Sequence, residues 1–210
     1  AIWSSTVAQG YAYYGSSVST AGDVNGDGYS DVIIGAPFFD GGHTDEGRVY
    51  VYHGSSTGLV GGGAWTADSD EAGARFGDSV DTAGDVNGDG YSDIIAGAGW
   101  YDGGGEADRG AAFVWWGSST GLGSTGPDWT AEGSQAGELM GDCVATAGDV
   151  NGDGYSDVII GARRYDSGDT DDEGIAIVYH GSPSGLSLTP NWSDQSDQAT
   201  NPVKRRPLIS

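Results

Sequence analysis

The chain is poor in the residues that characterise several other classes of protein. Of its 210 residues, one is cysteine, one is lysine, six are proline and three are histidine. The single Cys143 excludes an internal disulfide. No apolar run reaches the roughly 18 residues of a membrane-spanning helix, so we expect no membrane insertion. Eight basic residues against 31 acidic ones give a formal charge of −23, which excludes nucleic acid and anionic membranes as partners.

Glycine and aromatic residues are abundant instead. The chain has 40 Gly, 7 Trp, 11 Tyr and 4 Phe, too many aromatics for a disordered polypeptide and without the strict glycine period of collagen. This composition predicts an all-β protein with many tight turns. Abundant Asp, Gly and Ser with almost no Lys favour an extracellular or cell-surface (secreted) location. A first residue Ala1 fits a mature protein after signal removal or an excised piece.

One segment occurs three times. "AGDVNGDGYSDVIIGA" at 21–36 returns as "AGDVNGDGYSDIIAGA" at 83–98 and again at 147–162. Four tryptophans, Trp3, Trp65, Trp129 and Trp192, recur with spacings of 62, 64 and 63 residues. The chain is therefore a repeat protein, and we place its units at about 3–64, 65–128 and 129–198 within a region 1–200.

Each unit contains about four short β-branched or alternating segments bounded by Gly, Ser and Asp, and none has a helical period. Four strands in a unit of this length predict one blade of a β-propeller, with stacked blades forming the core. We expect the basic tail 201–210 to be disordered. Cys143 aligns with Ser17 and Ser79, which predicts a small side chain at a tight packing position.

The repeated acidic turn has the chemistry of a calcium site. Counting from Asp23, oxygen side chains lie at positions one, three, five and nine, with glycine at six. Alternate side chains of a loop can converge on one ion, and carboxylate and amide oxygens suit Ca²⁺. The alternative is a plain Asp-Gly turn held by Asx hydrogen bonds. An EF-hand is disfavoured because position 12 is Ile34, Ala96 or Ile160 and a strand-like segment follows.

The sequence resembles FG-GAP repeats, the blades of the integrin α-subunit propeller. Phe76-Gly77 and Gly35-Ala36-Pro37 match the two motifs that name the family, while the other copies depart modestly: Tyr14-Gly15, Met140-Gly141, Gly97-Ala98-Gly99 and Gly161-Ala162-Arg163. The resemblance implies three Ca²⁺ ions per chain, each bound in a hairpin loop. The implied ligands are Asp23, Asn25, Asp27, Tyr29 and Asp31; Asp85, Asn87, Asp89, Tyr91 and Asp93; and Asp149, Asn151, Asp153, Tyr155 and Asp157, with each tyrosine acting through its carbonyl.

Three blades do not easily close a ring, since closed propellers usually have four to eight. One solution is a homodimer that completes six blades, and the other is a longer parent protein. The Trp segment occurs four times and the rest of the unit three times, so one Trp segment is redundant or exchanged between chains.

No catalytic motif is present, and we expect a binding module rather than an enzyme. His53 and His180 share a position that holds Trp116 in the second unit, which indicates packing. Most loop glutamates are expected to be solvated. Phe39-Asp40, Tyr101-Asp102 and Tyr165-Asp166 suit either sugar stacking or an edge aromatic followed by an Asx turn. We therefore expect integrin-like adhesion through a protein ligand, with a carbohydrate-binding lectin or the accessory domain of a secreted enzyme as alternatives.

Overall fold

The computed structural model describes residues 4–60, 65–123, 126–168 and 172–195. These residues form twelve strands and contain no helix, and so none that could cross a membrane. Trp3 and the tail 201–210, two features of the sequence predictions, lie outside the described residues. The strands are β1 (Val18–Gly22), β2 (Asp31–Ala36), β3 (Arg48–Tyr52), β4 (Trp65–Asp68), β5 (Ser79–Gly84), β6 (Asp93–Ala98), β7 (Ala111–Trp115), β8 (Trp129–Glu132), β9 (Met140–Gly148), β10 (Asp157–Ala162), β11 (Ile175–Tyr179) and β12 (Trp192–Gln195).

Three antiparallel sheets of four strands each follow the chain in order, β1 to β4, β5 to β8 and β9 to β12. This confirms the predicted all-β class and the three four-stranded blades. The sheets are offset from the sequence units by one strand. Trp65–Asp68 and Trp129–Glu132, which open the second and third units, pair with β3 and β7 and are the fourth strands of the preceding sheets.

The second strand of each sheet carries the apolar core. β6 is buried along its whole length, and β2 is nearly so, because its side chains alternate between two faces that both pack on other sheets or loops. One core cluster lies between the first and second sheets and includes Ile33, Phe76 and Trp115. A second lies between the second and third sheets and includes Ile95 and Ile160. The three sheets are therefore stacked face to face.

Glycine permits this close stacking at two strand positions. A Cβ on Gly35 would lie 1.9 Å from the carbonyl oxygen of Gly77, and one on Gly97 would lie 1.8 Å from the carbonyl oxygen of Gly141. Any side chain there would collide with the backbone of the next sheet.

Cys143 does not occupy the tight packing position that the sequence predicts, because its side chain is exposed. Its counterparts Ser17 and Ser79 accept hydrogen bonds from the N–H groups of Val80 and Val144, at 3.1 and 3.0 Å, on the next sheet. Cys143 is on the third sheet, and the described residues place no further sheet beyond it.

Candidate metal centre

The three acidic turns are hairpin loops that join the first two strands of each sheet. The first loop follows β1 and ends at Asp31, which opens β2 and pairs with Gly22 across an irregularity in the ladder. The second and third loops connect β5 to β6 and β9 to β10 in the same way. Twelve of the fifteen residues predicted from the sequence therefore lie in three equivalent loops, and the other three, Asp31, Asp93 and Asp157, open the strands that follow.

Within each loop, the oxygens at positions one and three converge on one backbone N–H group. Asp23 Oδ1 and Asn25 Oδ1 both accept the N–H of Asp27, each at 3.1 Å. The Asn25 amide also donates to Asp27 Oδ2 at 3.2 Å. In the other loops, the N–H groups of Asp89 and Asp153 donate to the side-chain oxygens at positions one and three in the same way, at distances from 2.9 to 3.1 Å. Side chains one, three and five thus lie together.

The ninth-position aspartate lies beneath the loop and is fully buried. Asp31 Oδ2 accepts the N–H of Val24 at 2.9 Å, and its Oδ1 accepts the N–H of Gly54 at 2.8 Å. This carboxylate joins the loop to the segment after β3. Asp93 and Asp157 make the equivalent pairs of bonds, to Val86 and Gly117 and to Val150 and Gly181.

In the first two loops, burial and neighbouring carboxylates act against the charge of the buried aspartate. Burial raises the pKa of Asp93 to about 7, although the N–H groups of Val86 and Gly117 oppose the shift, and the charges of Asp89 and Asp85 add to it. The pKa of Asp31 is also raised, chiefly by burial. Among the described residues, the ion pairs involve Arg48, Arg109 and Arg163 and lie outside the three loops. A cation would relieve the repulsion within each loop.

The donor set of the loops fits Ca²⁺, since it consists of carboxylate, amide and carbonyl oxygens. In the described part of the chain, however, no three His, Cys, Asp or Glu side chains converge as closely as a bound metal requires. The carboxylate oxygens accept loop N–H groups, as in the Asx-turn alternative, and each retains further lone pairs for a ligand. Calcium binding at these residues stays a prediction.

The next sheet closes the first two loops from outside. The N–H of Asp23 donates to Ser92 Oγ at 3.1 Å, and the N–H of Ser92 donates to the Asp23 carbonyl oxygen at 3.0 Å. The Tyr91 ring covers Gly26 closely enough that a Cβ there would lie 2.5 Å from it. Ser156 and Tyr155 cover the second loop in the same manner. The loops are therefore part of the junctions between sheets.

The aromatic–Asp loops follow the packing alternative. The Tyr101 ring packs edge-on against Phe113 at 5.4 Å, and Asp102 Oδ1 accepts the N–H of Asp108 at 2.7 Å. Phe39 contacts Tyr50 and Arg48, and Tyr165 packs against the second core cluster. These rings cover sheet edges, and their aspartates hold turns.

Two loop glutamates are buried and are exceptions to the expectation that most are solvated. Glu46 is fully buried and accepts the N–H groups of Gly42 and His43, at 2.8 and 3.1 Å. Glu138 is 2% exposed and accepts those of Ser134 and Gln135. The two glutamates do not occupy equivalent positions of the repeat, since Glu46 directly precedes Gly47 and Glu138 directly follows Gly137, so the repeat pattern did not single them out.

Stacked four-stranded meanders with an acidic hairpin loop between the first two strands define a β-propeller repeat protein. The FG-GAP repeat model matches residues 14–52, 76–115 and 144–179, more than half of the chain. The chain belongs to the FG-GAP repeat family.

Integrin α subunits are among its relatives. The chain is 36% identical over 205 residues to integrin alpha-5 of Xenopus laevis, a match that covers 89% of the chain and 18% of the relative. It is 35% identical over 181 residues to integrin alpha-V of Gallus gallus, covering 82% and 16%, and 32% identical over 157 residues to integrin alpha-IIb of Homo sapiens, covering 72% and 15%. The chain thus spans less than a fifth of the length of these relatives.

Proposed function

We propose that the chain is an extracellular, calcium-stabilised propeller module that binds a protein ligand in integrin-like adhesion. The observation that carries this proposal is the threefold convergence of oxygens on the N–H of Asp27, Asp89 and Asp153, above a buried aspartate. Three copies of one hard-oxygen arrangement favour a shared ligand over a chance turn sequence. The kinship with integrin α subunits favours binding rather than catalysis.

Each loop would hold one ion, with side-chain oxygens from positions one, three, five and nine and the tyrosine carbonyl oxygen. Bound Ca²⁺ would favour the charged form of Asp93, whose pKa is raised chiefly by burial and further by the charges of Asp89 and Asp85. We assign the ion a structural role, because each loop joins the first two strands of its sheet and the first two loops also contact the next sheet. Binding to the folded loop but not to the unfolded one stabilises the fold, by about 2.7 kcal/mol per site at a calcium concentration 100 times Kd.

The first test is calorimetric titration of the metal-stripped chain with CaCl₂. We expect three ions per chain, a rise in Tm on loading and a fall in Tm with chelator. Asp27→Asn removes one carboxylate and should lower the stoichiometry to two. Glu106→Gln removes the same charge from an exposed position outside the loops and should leave it at three.

Retained binding of three ions by the Asp27→Asn variant would contradict the assignment of the first loop. Absence of calcium binding in the unchanged chain would show that the loops are Asx turns, since their Asx hydrogen bonds need no ion.

The protein ligand can be sought on printed arrays of purified extracellular matrix proteins and of glycans, probed with the chain in calcium and in chelator. Calcium-dependent capture by matrix proteins supports the adhesion module. Capture confined to glycans would instead support the lectin.

One observation favours that second candidate. A groove of about 500 Å³ lies at the outer edge of the first two sheets, lined by Trp65, Tyr101, Phe113, Trp115, Asp68 and Glu132 among others. Aromatic faces beside carboxylates suit sugar rings and hydroxyls. However, Asp68 pairs with Arg48 and Glu132 with Arg109, so these carboxylates already have partners. We therefore rank glycan binding second.

We further propose that the module is completed by a second copy into six blades.

A further inference from the structure

The two ends of the sheet stack expose apolar residues that are buried at the internal junctions. Val18 on β1 is 65% exposed, whereas its counterparts Val80 and Val144 are 5% and 4% exposed. In the third acidic loop Val150 is 56% exposed, whereas its counterparts Val24 and Val86 are fully buried. Val18 lies on the first sheet and Val150 on the third, at opposite ends of the stack. Among the described residues, no neighbouring sheet therefore covers these side chains at either end, as one does at the internal junctions.

The strand glycines show the same difference. The Gly77 carbonyl packs on Gly35, and the Gly141 carbonyl packs on Gly97. Neither Gly35 nor Gly97 therefore has room for a Cβ. A Cβ on Gly161, the counterpart in the third sheet, would meet only Cys143, at 3.6 Å and beyond. The counterpart of Gly77 and Gly141 on the first sheet is the exposed Gly15.

The acidic loops extend this pattern. Ser92 and Ser156 press on Gly22 and Gly84, while nothing lies within 4 Å of the Cβ position of Gly148. Likewise Tyr91 and Tyr155 cover Gly26 and Gly88, and Gly152 is open. The matching tyrosine and serine of the first sheet are Tyr29 and Ser30, which are both exposed.

The segments that follow β3, β7 and β11 show the same difference between the internal junctions and the free ends. His53 lies against Gly121, where a Cβ would be 3.2 Å from its ring, and Trp116 lies against Gly185. Gly58, the counterpart of Gly121 and Gly185, has nothing within 4 Å. His180, the counterpart of His53 and Trp116, lies at the other end of the stack.

We propose that the end of the third sheet is a docking surface for the first sheet of a second copy of this chain. The trailing face comprises Cys143, Gly148, Val150, Gly152, Gly161 and His180. The leading face comprises Gly15, Val18, Tyr29, Ser30 and Gly58. The proposal rests on the propeller module proposed above, and it assigns residues to its self-association.

We assign a second copy as the partner because the leading face of the same sequence carries the residues that cover the equivalent positions at the internal junctions. Both internal junctions already use these pairs of residue types: glycine on glycine, tyrosine on glycine, serine on glycine. Two copies joined at both ends bury both faces and form a closed set of six sheets.

The outer strand position at this contact has two candidates. Residues 4–7 lie on the first sheet, where Ser5 Oγ is 2.7 Å from the Tyr52 hydroxyl and Val7 packs near Tyr50. In the second sheet the equivalent place is filled by β4 of the preceding sheet, whose Trp65 contacts Trp115. In the assembled contact, the fourth strand of the third sheet is either β12 or residues 4–7 of the second copy, and the other segment is displaced. This choice between two segments accounts for the fourth copy of the Trp segment.

The test compares Gly161→Ala with Gly97→Ala in the full chain, by light scattering and thermal unfolding in calcium. We expect the unchanged chain to have twice its 21.4 kDa mass and Gly161→Ala to be a folded monomer with an unchanged Tm at low concentration. Gly97→Ala, whose methyl group would clash inside the chain, should lower Tm.

Cys143 gives a second readout that needs no substitution. Its thiol is exposed in the single chain and would face the second copy at the Val18 N–H. Its reaction with a thiol reagent should slow as the chain concentration rises, and this slowing should be lost in Gly161→Ala.

A monomeric mass at all concentrations, with a concentration-independent thiol rate, would overturn the docking proposal. So would a Gly161→Ala variant that still doubles its mass. Calcium titration of the same samples separates the two proposals, because three bound ions on a monomer would leave the calcium proposal standing, and assembly without calcium binding would leave only the docking proposal.

Discussion

At single residues, this acidic chain places carboxylates where their charge is disfavoured. Asp78 is half-buried near the start of β5, and burial raises its pKa, with the charge of Asp142 adding to the shift and Arg75 opposing it. A raised pKa in the folded state means that the protonated form is favoured by folding. Stability associated with this group is therefore full below its unfolded pKa and is lost as the pH rises through the higher folded value.

We expect Asp78→Asn to raise Tm at pH 7 and to raise it less at pH 4, because the fraction of the unchanged carboxyl that is protonated rises as the pH falls. Thermal unfolding of both proteins at the two pH values measures the difference. Glu106→Gln makes the same change in net charge at an exposed site and corrects for general charge repulsion. An equal gain at both pH values, or the same gain in Glu106→Gln, would show that Asp78 ionisation does not oppose folding.

At the level of strands and loops, we expect the junction between two sheets to contribute more to the free energy of unfolding than the free end of the stack. Phe76 is 1% exposed and contacts the rings of Phe113 and Trp115 at 5.6 and 5.7 Å, within the core between the first two sheets. Its counterpart Tyr14 is half-buried against Tyr50 at 5.1 Å on the free face of the first sheet. Removing a buried aromatic ring leaves a cavity, whereas water can enter a partly exposed site.

We expect Phe76→Ala to lower the free energy of unfolding by about 3–5 kcal/mol, the usual cost of truncating a buried phenylalanine. Tyr14→Ala should cost clearly less at concentrations where the chain is monomeric. Urea unfolding with linear extrapolation gives both values. Equal costs would mean that the free face of the first sheet is as well packed as an internal junction.

The strands and acidic loops could be predicted from the sequence because their signals are local and occur three times. The partner of a strand is not a local property. Trp65 begins a repeat in the sequence, yet its strand pairs with β3 of the preceding sheet, since hydrogen bonding depends on where the chain returns. The burial of Glu46 also escaped prediction, because it depends on the N–H groups of Gly42 and His43 that the folded loop presents. The exposure of Val18 and Cys143 follows only from the order in which the sheets stack.

For the whole molecule, charge opposes the proposed assembly. Each chain carries −23 charges, so two copies repel one another before their end faces meet. Three bound Ca²⁺ ions would add six positive charges and reduce the formal charge of each chain to −17. The third loop lies on the trailing face, where the Tyr29 and Ser30 of a second copy would cover it as Tyr155 and Ser156 cover the second loop. Calcium and assembly should therefore favour each other by more than charge screening alone.

We expect the fraction of dimer to rise with NaCl, because the Debye length falls from about 30 Å at 0.01 M to about 10 Å at 0.1 M and weakens repulsion between chains. At a fixed ionic strength of 0.15 M, replacing chelator by calcium should increase the dimer further. Sedimentation velocity over a range of chain concentrations measures both effects, with MgCl₂ as the control for divalent charge. Asp149→Asn, in the loop on the trailing face, should reduce the calcium increment more than Asp85→Asn, in the loop that the same chain covers. If both variants lose the increment equally, or if NaCl alone reproduces it, the third loop is not coupled to the contact and calcium acts on assembly only through net charge.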